Sequence, residues 1–314
     1  MKINILLPVY NDWDSINILL KDIEKIQINN KLNITSIDIT IINDCSTLPP
    51  SIIKDFKQFK IKIITLFENL GSQLAINCGL RYLDENNIDF DYCIIMDSDG
   101  EDKAEDILTL LNVATKKNEK IVFASRGKRQ DGLLFYFLYK SYLSIFYFCT
   151  GKNINFGNFS CIHKSSIKIV ARLDNSKIHH SASILRSNLS FTKIKCDRGK
   201  RFIGKSKMSL KNLVLHGLKG MAIFFDLILI RFLILISLPI TLSLIFIFIL
   251  KINNLFENLY WFNLDQFYLA TLFSSFIIIG ILVYLKTLSS NIKRKIKKKF
   301  NLKNIMFVDK KINY

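Results

Sequence analysis

The sequence predicts an α/β protein, a mostly parallel sheet with helices on both faces, followed by two transmembrane helices. Three observations carry that expectation. Up to about residue 125, short runs rich in Ile, Leu and Val alternate with longer segments whose apolar residues recur at helical spacing, the pattern of successive βαβ units. Each strand-like run stops at polar residues, so the carboxyl ends of the strands form one polar rim, where open sheets of this kind bind ligands. Two later runs, 232–250 and 268–285, carry no charged residue over about the length a bilayer core requires.

The first strand covers residues 3–7 and ends at Pro8-Val9-Tyr10-Asn11. A helix follows from about Ser15, with Ile16, Leu19, Leu20, Ile23 and Ile26 on one face and Asp14 or Ser15 as its cap. The second strand, 37–42, ends at Asn43-Asp44-Cys45-Ser46-Thr47. The third, 61–66, ends at Glu68-Asn69-Leu70-Gly71 and leads into a helix through Ala75, Cys78 and Leu83. The fourth, 92–96, runs into Asp97-Ser98-Asp99; a helix over 105–116 and a fifth strand over 120–124 complete the series. Four polar strand ends on one rim describe a nucleotide pocket.

Asp97-Ser98-Asp99 is where the chemistry belongs. An Asp-x-Asp alternation puts both carboxylates on one side of an extended segment, and Glu101 extends the series beside Gly100, which permits a sharp turn. Hard oxygen ligands in this arrangement suit Mg²⁺ or Mn²⁺, which keep positions open for phosphate oxygens.

The chain has 314 residues, half of them hydrophobic, and a formal charge of +18. The distribution of that charge argues against nucleic acid. Much of it lies after residue 286, where Lys293, Arg294, Lys295, Lys297, Lys298, Lys299, Lys303, Lys310 and Lys311 face the single acid Asp309. Basic residues after a membrane span mark the cytoplasmic side and attract anionic headgroups. The loop 251–267 carries one Lys against Glu257 and Asp265, as an outer loop would. The expected organisation is a cytoplasmic catalytic domain over 1–208, a juxtamembrane interfacial segment over 209–231, a two-helix membrane region over 232–285 and a basic tail over 286–314. Both termini then share the cytoplasm, in a two-span protein of the inner or plasma membrane. The N-terminus enters a strand directly rather than a signal peptide.

Residues 133–149 are aromatic and apolar but interrupted by Lys140, which reads as an interfacial helix rather than a third span. The six cysteines, Cys45, Cys78, Cys93, Cys149, Cys161 and Cys196, show no CxxC spacing and read as reduced, packed residues. His179-His180 lacks an acid at metal-ligand spacing and reads as a loop or surface pair.

Together, Pro8-Val9-Tyr10-Asn11, Asn43 to Thr47, Asn69-Leu70-Gly71 with Gly79-Leu80, and Asp97-Ser98-Asp99 resemble the successive motifs of inverting family 2 glycosyltransferases with the GT-A, Rossmann-like fold. The stretch Arg198-Gly199-Lys200-Arg201-Phe202-Ile203-Gly204-Lys205-Ser206-Lys207, just ahead of two membrane runs, narrows the resemblance to the polyprenyl-phosphate group. That group is typified by dolichol-phosphate mannosyltransferase and bacterial undecaprenyl-phosphate glucosyltransferases. The resemblance implies transfer of a hexose from a UDP- or GDP-sugar to a polyprenyl phosphate. It implies donor contacts from Pro8, Tyr10, Asn11, Asp44, Asn69, Gly71, Asp97 and Ser98, and a metal on Asp97, Asp99 and Glu101. Catalysis falls to Asp97, Asp99, Arg201 and Lys207, and the acceptor phosphate to Arg126, Arg198, Arg201, Lys205, Ser206 and Lys207.

Arg126 and Arg129 also stand where a donor diphosphate or solvent would meet them. A phosphate oxygen is already anionic and needs cations rather than a general base. A bland reading of the basic stretch, a juxtamembrane patch on anionic lipid, stands beside this one. The chain departs from the family pattern at Asn43 and Cys45, where an acid and a glycine are usual, at Glu101 in place of Gln, and at Asn158 in place of Asp. Two alternatives stand beside this reading, one of the same class and one of a different class. A processive polysaccharide synthase would carry Gln-x-x-Arg-Trp, and neither Trp13 nor Trp261 sits in such a motif. A non-catalytic membrane adaptor would retain the fold alone, and self-association is open in every reading.

Overall fold

The structure, a computed structural model, describes residues 1–28, 32–51, 56, 59–126, 133–204, 210–252, 273–277, 279–281, 283–284, 286–287, 290 and 306–308. All five expected strands are present as β1 (Lys2–Val9), β2 (Ser36–Asn43), β3 (Phe59–Leu66), β4 (Tyr92–Ile95) and β5 (Ile121–Arg126). The expected helices are α1 (Trp13–Ile28), α2 (Ser72–Glu85), α3 (Asp106–Lys116) and α4 (Leu133–Thr150). Further along lie β6 (Phe156–His163), α5 (Lys164–Arg172), a short 3₁₀ turn (Asp174–Lys177), α6 (His180–Arg186), β7 (Thr192–Cys196), α7 (Leu210–Ala222), α8 (Phe225–Ile252) and β8 (Met306–Val308).

The eight strands form one sheet in the order β7-β5-β6-β4-β1-β2-β3-β8. β1 pairs in parallel with β2 and β4, β2 with β3, and β5 with β7. β6 runs antiparallel between β4 and β5, so the fifth strand does not neighbour the fourth. β8, from the basic tail, closes the opposite edge antiparallel to β3.

Seven of the eight β1 residues are buried because the strand is covered on both faces. Ile3, Ile5, Leu7 and Val9 point to one side, where α1 supplies Ile16, Leu19, Leu20 and Ile23 and α3 supplies Ile107, Leu110 and Leu111. Leu6 points to the other side, with Ile42 and Ile64, against Ala75, Ile76, Leu80 and Leu83 of α2 and Ile167 and Val170 of α5. Each fully buried Leu or Ile contributes roughly 1.5 to 3 kcal/mol by leaving water. These two cores cover both faces of the sheet whose strand ends carry the site.

A third apolar cluster joins Phe146 and Cys149 of α4, Ile178, Ala182 of α6, and Met221, Phe224 and Ile228 around the start of α8. Elsewhere on α4, Phe137, Leu138, Ile145, Tyr147 and Phe148 are exposed. α7 and α8 meet at an elbow of 81°. On α8, Leu233, Ile234, Leu235, Leu238, Leu242, Ile245 and Ile249 are exposed as well. Among the described residues no single helix is long and apolar enough to cross a membrane; the bent pair Lys211–Ala222 and Phe225–Leu238 is, taken together. Of the second expected span, 268–285, the structure describes 273–277, 279–281 and 283–284, all helical. All six cysteines are free, five of them buried, as expected.

Candidate active site

The β1, β2 and β4 ends converge through specific hydrogen bonds. Asn11, in the left-handed region at φ 56°, donates its backbone N–H to Ser46 Oγ at 2.9 Å. Its side chain donates to Thr47 Oγ1 at 2.9 Å and accepts from the Leu48 amide at 3.0 Å. Asn11 therefore fixes the 43–48 turn. Asn43, where an acid is usual, donates to Thr65 Oγ1 at 3.2 Å and accepts from the Ser46 amide at 3.0 Å, a pair of roles a carboxylate cannot fill. Cys45 takes the left-handed backbone, φ 55°, that the usual glycine would adopt freely.

Asp44 is buried, and both of its carboxylate oxygens accept backbone amides, from Leu70 at 2.7 Å and Gly71 at 2.8 Å, at the head of α2. Burial pushes its pKa up to about 6, against the pull of those two amides. Tyr10 and Asn69 are exposed on the same rim, and Ser98 donates to the Pro8 carbonyl at 3.2 Å. The expected donor residues Pro8, Tyr10, Asn11, Asp44, Asn69, Gly71, Asp97 and Ser98 thus share one end of the sheet. Asn11 and Asp44 act there chiefly by holding loops.

The Asp97–Asp102 loop and the 198–203 segment are stitched together. Phe202 N–H donates to the Asp99 carbonyl at 2.9 Å, and Gly199 N–H to the Glu101 carbonyl at 2.8 Å. Gly100, at φ +89°, lies under the Phe202 ring, where a Cβ would stand 2.5 Å from it. Arg201 bridges two acids, Asp99 at 2.9 Å and Asp12 at 2.8 Å, with only 13% of its side chain exposed. Arg198 pairs with Glu101. Two of the cations expected to wait for an acceptor phosphate, Arg198 and Arg201, are instead paired with two of the acids expected to hold a metal, Glu101 and Asp99, because opposite charges on two touching loops neutralise each other.

Lys205, Ser206 and Lys207 lie outside the described residues. β5 ends at Arg126, whose backbone registers with Cys196 and whose side chain also falls outside the description. Asp12 and Asp102 are site residues the sequence reading missed. Asp102 accepts from the Asp97 amide at 2.9 Å, and burial, then the Asp97 charge, push its carboxyl well above the usual range.

Among the described residues no three acidic, His or Cys side chains converge to cage an ion by themselves. Mg²⁺ and Mn²⁺ bound with nucleotide phosphates need only one or two carboxylates, the rest of the shell being phosphate and water. Asp97 and Asp99 suit that demand in donor type, although Asp99 is engaged by Arg201 just as Glu101 is by Arg198.

A cavity of about 470 Å³ opens beside these acids. Its polar end is lined by Asp97, Glu101, Asp102, Asn158 and Arg198, and its apolar wall by Leu138, Tyr142 and Ile145 of α4 and Leu213, Val214 and Met221 of α7. Gly217 and Gly220 bring α7 close to Tyr142 and His179. The two histidines are corrected here: His179 and His180 are buried rather than on a surface loop. His179 stacks on His216 with centroids 4.4 Å apart and accepts from the Ala182 amide as the cap of α6. His180 sits edge-on to Phe123, and neither ring nitrogen has a hydrogen-bond partner.

The architecture is that of an α/β protein, a mostly parallel sheet with polar strand ends on one rim and Asp97-Ser98-Asp99 just past β4. Residues 4–176 match the sequence pattern of glycosyl transferase family 2, and the chain belongs to that family. It is 24% identical over 230 residues to the uncharacterized glycosyltransferase YkcC of Bacillus subtilis, across 70% of this chain and 68% of that protein. It is 29% identical over 133 residues to the uncharacterized glycosyltransferase sll0501 of Synechocystis, across 41% of this chain and 39% of that one. Among solved structures it is similar to the mannosyltransferase PcManGT from Pyrobaculum calidifontis in complex with GDP-Man and Mn²⁺, with TM-score 0.48 and 13% identity, covering 92% of this chain and 84% of that one. A glucosyl-3-phosphoglycerate synthase from Mycobacterium tuberculosis aligns with TM-score 0.47 and 14% identity over 72% and 79%. The expectations of a family 2 glycosyltransferase and a GT-A-like sheet are both met.

Proposed function

We propose that the chain transfers a hexose, with inversion, from a UDP- or GDP-sugar to a polyprenyl phosphate at the cytoplasmic face of a membrane that its late helices span twice. The observation that supports this reading best is the cavity. One end meets the Asp97 and Glu101 carboxylates; the other is an apolar wall built by α4 and α7. The exposed apolar residues of α4 and α8 continue outward from the same cluster, as they would in contact with lipid. A phosphate with a long hydrocarbon tail matches both ends.

The donor diphosphate lies along the rim of Pro8, Tyr10, Asn69, Gly71 and Ser98. Its leaving group gains negative charge as the glycosidic bond breaks; Asp97 and Asp99 would hold a divalent cation such as Mg²⁺ or Mn²⁺, which would supply compensating charge there. Arg198 and Arg201 bring positive charge beside Glu101 and Asp99, and Lys205 and Lys207, with the hydroxyl of Ser206, follow them in sequence. They orient a nucleophile that is already ionised. The apolar wall keeps the lipid in place and water away from the glycosyl donor.

The test is transfer by the purified full chain in detergent, with radiolabelled UDP- and GDP-sugars and undecaprenyl phosphate as acceptor. A lipid-linked sugar that forms with the phosphate and not with polyprenol is expected. Sugar transfer to soluble acceptors alone would overturn the reading.

A further inference from the structure

The amide of Asn158 has a fixed orientation. On α6, the buried His180 backbone N–H can only donate, and it donates to Gln73 Oε1 at 2.6 Å. Gln73 must then present its Nε2 on the other side, and that group donates to Asn158 Oδ1 at 3.1 Å. With its oxygen taken by Gln73, Asn158 keeps its Nδ2 for another acceptor, and the residue lines the cavity. Its backbone is held too: the Asn158 carbonyl accepts from Ser160 Oγ at 2.9 Å, and the neighbouring Gly157 carbonyl from Ser181 Oγ at 2.7 Å. Among the described residues no partner meets Nδ2.

We propose that Asn158 determines acceptor specificity: its Nδ2 donates to an anionic oxygen, a phosphate, at the polar end of the cavity, and Gln73 is the positioning residue that aims it. The inference rests on the lipid-phosphate reading above. A carboxylate at this position would still receive Gln73 Nε2 on one oxygen, and would put its second oxygen where Asn158 keeps its Nδ2. That oxygen would repel an anion and could act as a base toward a hydroxyl. Asparagine does the reverse: it cannot take a proton and it donates. The same end already carries Asp97, Asp102 and Asp106, so a neutral donor there spares an incoming phosphate one more negative charge.

Three variants test it on full-length protein in detergent, with undecaprenyl phosphate and polyprenol as acceptors and nucleotide-sugar binding measured directly. Asn158→Ala and Asn158→Asp should each raise the KM for undecaprenyl phosphate by roughly ten- to a hundred-fold, the size of one charge-assisted hydrogen bond. Donor affinity should stay unchanged in both, and so should the thermal midpoint of Asn158→Asp, which keeps an oxygen for Gln73 Nε2. Gln73→Glu leaves residue 158 untouched but offers it an oxygen, so the Asn158 amide flips and aims Oδ1 at the acceptor; its acceptor KM should rise in the same way. An acceptor KM within about twofold of wild type in Asn158→Ala and Asn158→Asp overturns the assignment while leaving the proposed reaction intact. No transfer to undecaprenyl phosphate by the wild-type chain overturns both.

Discussion

At the scale of single residues, His180 and Arg201 make opposed demands on the fold. Burial pushes the His180 pKa down to about 4. A group depressed in this way contributes stability that is full above its unfolded value near 6.5 and is lost as pH falls toward 4, about 3 kcal/mol across the window. His180→Phe removes two ring nitrogens that have no partner, and the variant should be at least as stable at pH 7 and lack the acid-side loss. Asp44 works with opposite sign: raised to about 6, its contribution is full below about 4 and disappears as pH climbs through 6. The difference between wild type and His180→Phe, followed by urea midpoints from pH 7 to 4, therefore isolates the histidine; a difference that does not grow on the acid side refutes it.

Arg201→Ala leaves Asp12 and Asp99, both largely buried, without their shared cation. It should cost on the order of 3 kcal/mol in unfolding free energy as well as turnover. Loss of turnover with unchanged stability would place the arginine elsewhere. Asp97 and Asp99 were legible because they end an apolar run. Asp12 was not, since 189 residues separate it from Arg201, and Gln73 lies 85 from Asn158. No local pattern reports such pairs.

Among elements, strands β1 to β5 announced themselves because central strands buried on both faces read as continuous apolar runs. β6 hides behind Gly157, Asn158 and Ser160, which suit a ligand wall better than strand propensity. β7 alternates exposed Lys193 and Lys195 with Ile194, an edge strand guarded by charge. The helical turns of α4 were legible, and so was its apolar character. The pairing of the 97–102 loop with the 198–203 segment was not, since neither is a regular element. Gly100→Ala tests that pairing. A side chain at φ +89° costs roughly 1 to 2 kcal/mol and displaces the Phe202 ring. Trypsin should then cut at Arg198, Lys200 or Arg201 sooner than in wild type, and equal protection would show that the two loops separate freely already.

For the molecule as a whole, the expected topology is two spans with both termini in the cytoplasm. Reporter fusions after Asn254 should report the outer side and fusions at Tyr314 the inner side. A translocated Tyr314 fusion would break the assignment. β8 bears on the same question, because residues 306–308 of the tail return to the edge of β3. Residues 306–308 therefore lie on the same side of any membrane as the sheet. The sequence revealed the charge of the tail but not this return, since three residues make too short a strand to stand out.

The cavity wall of α4 and α7 has a kinetic consequence. An acceptor that arrives through that wall diffuses in two dimensions, so the enzyme senses its mole fraction among lipids or detergent rather than its concentration in the tube. Diluting a fixed amount of undecaprenyl phosphate with added detergent should slow transfer in proportion to the dilution, whereas adding buffer at constant mole fraction should leave the rate per enzyme unchanged. A rate that follows bulk concentration instead would mean that the acceptor enters from water.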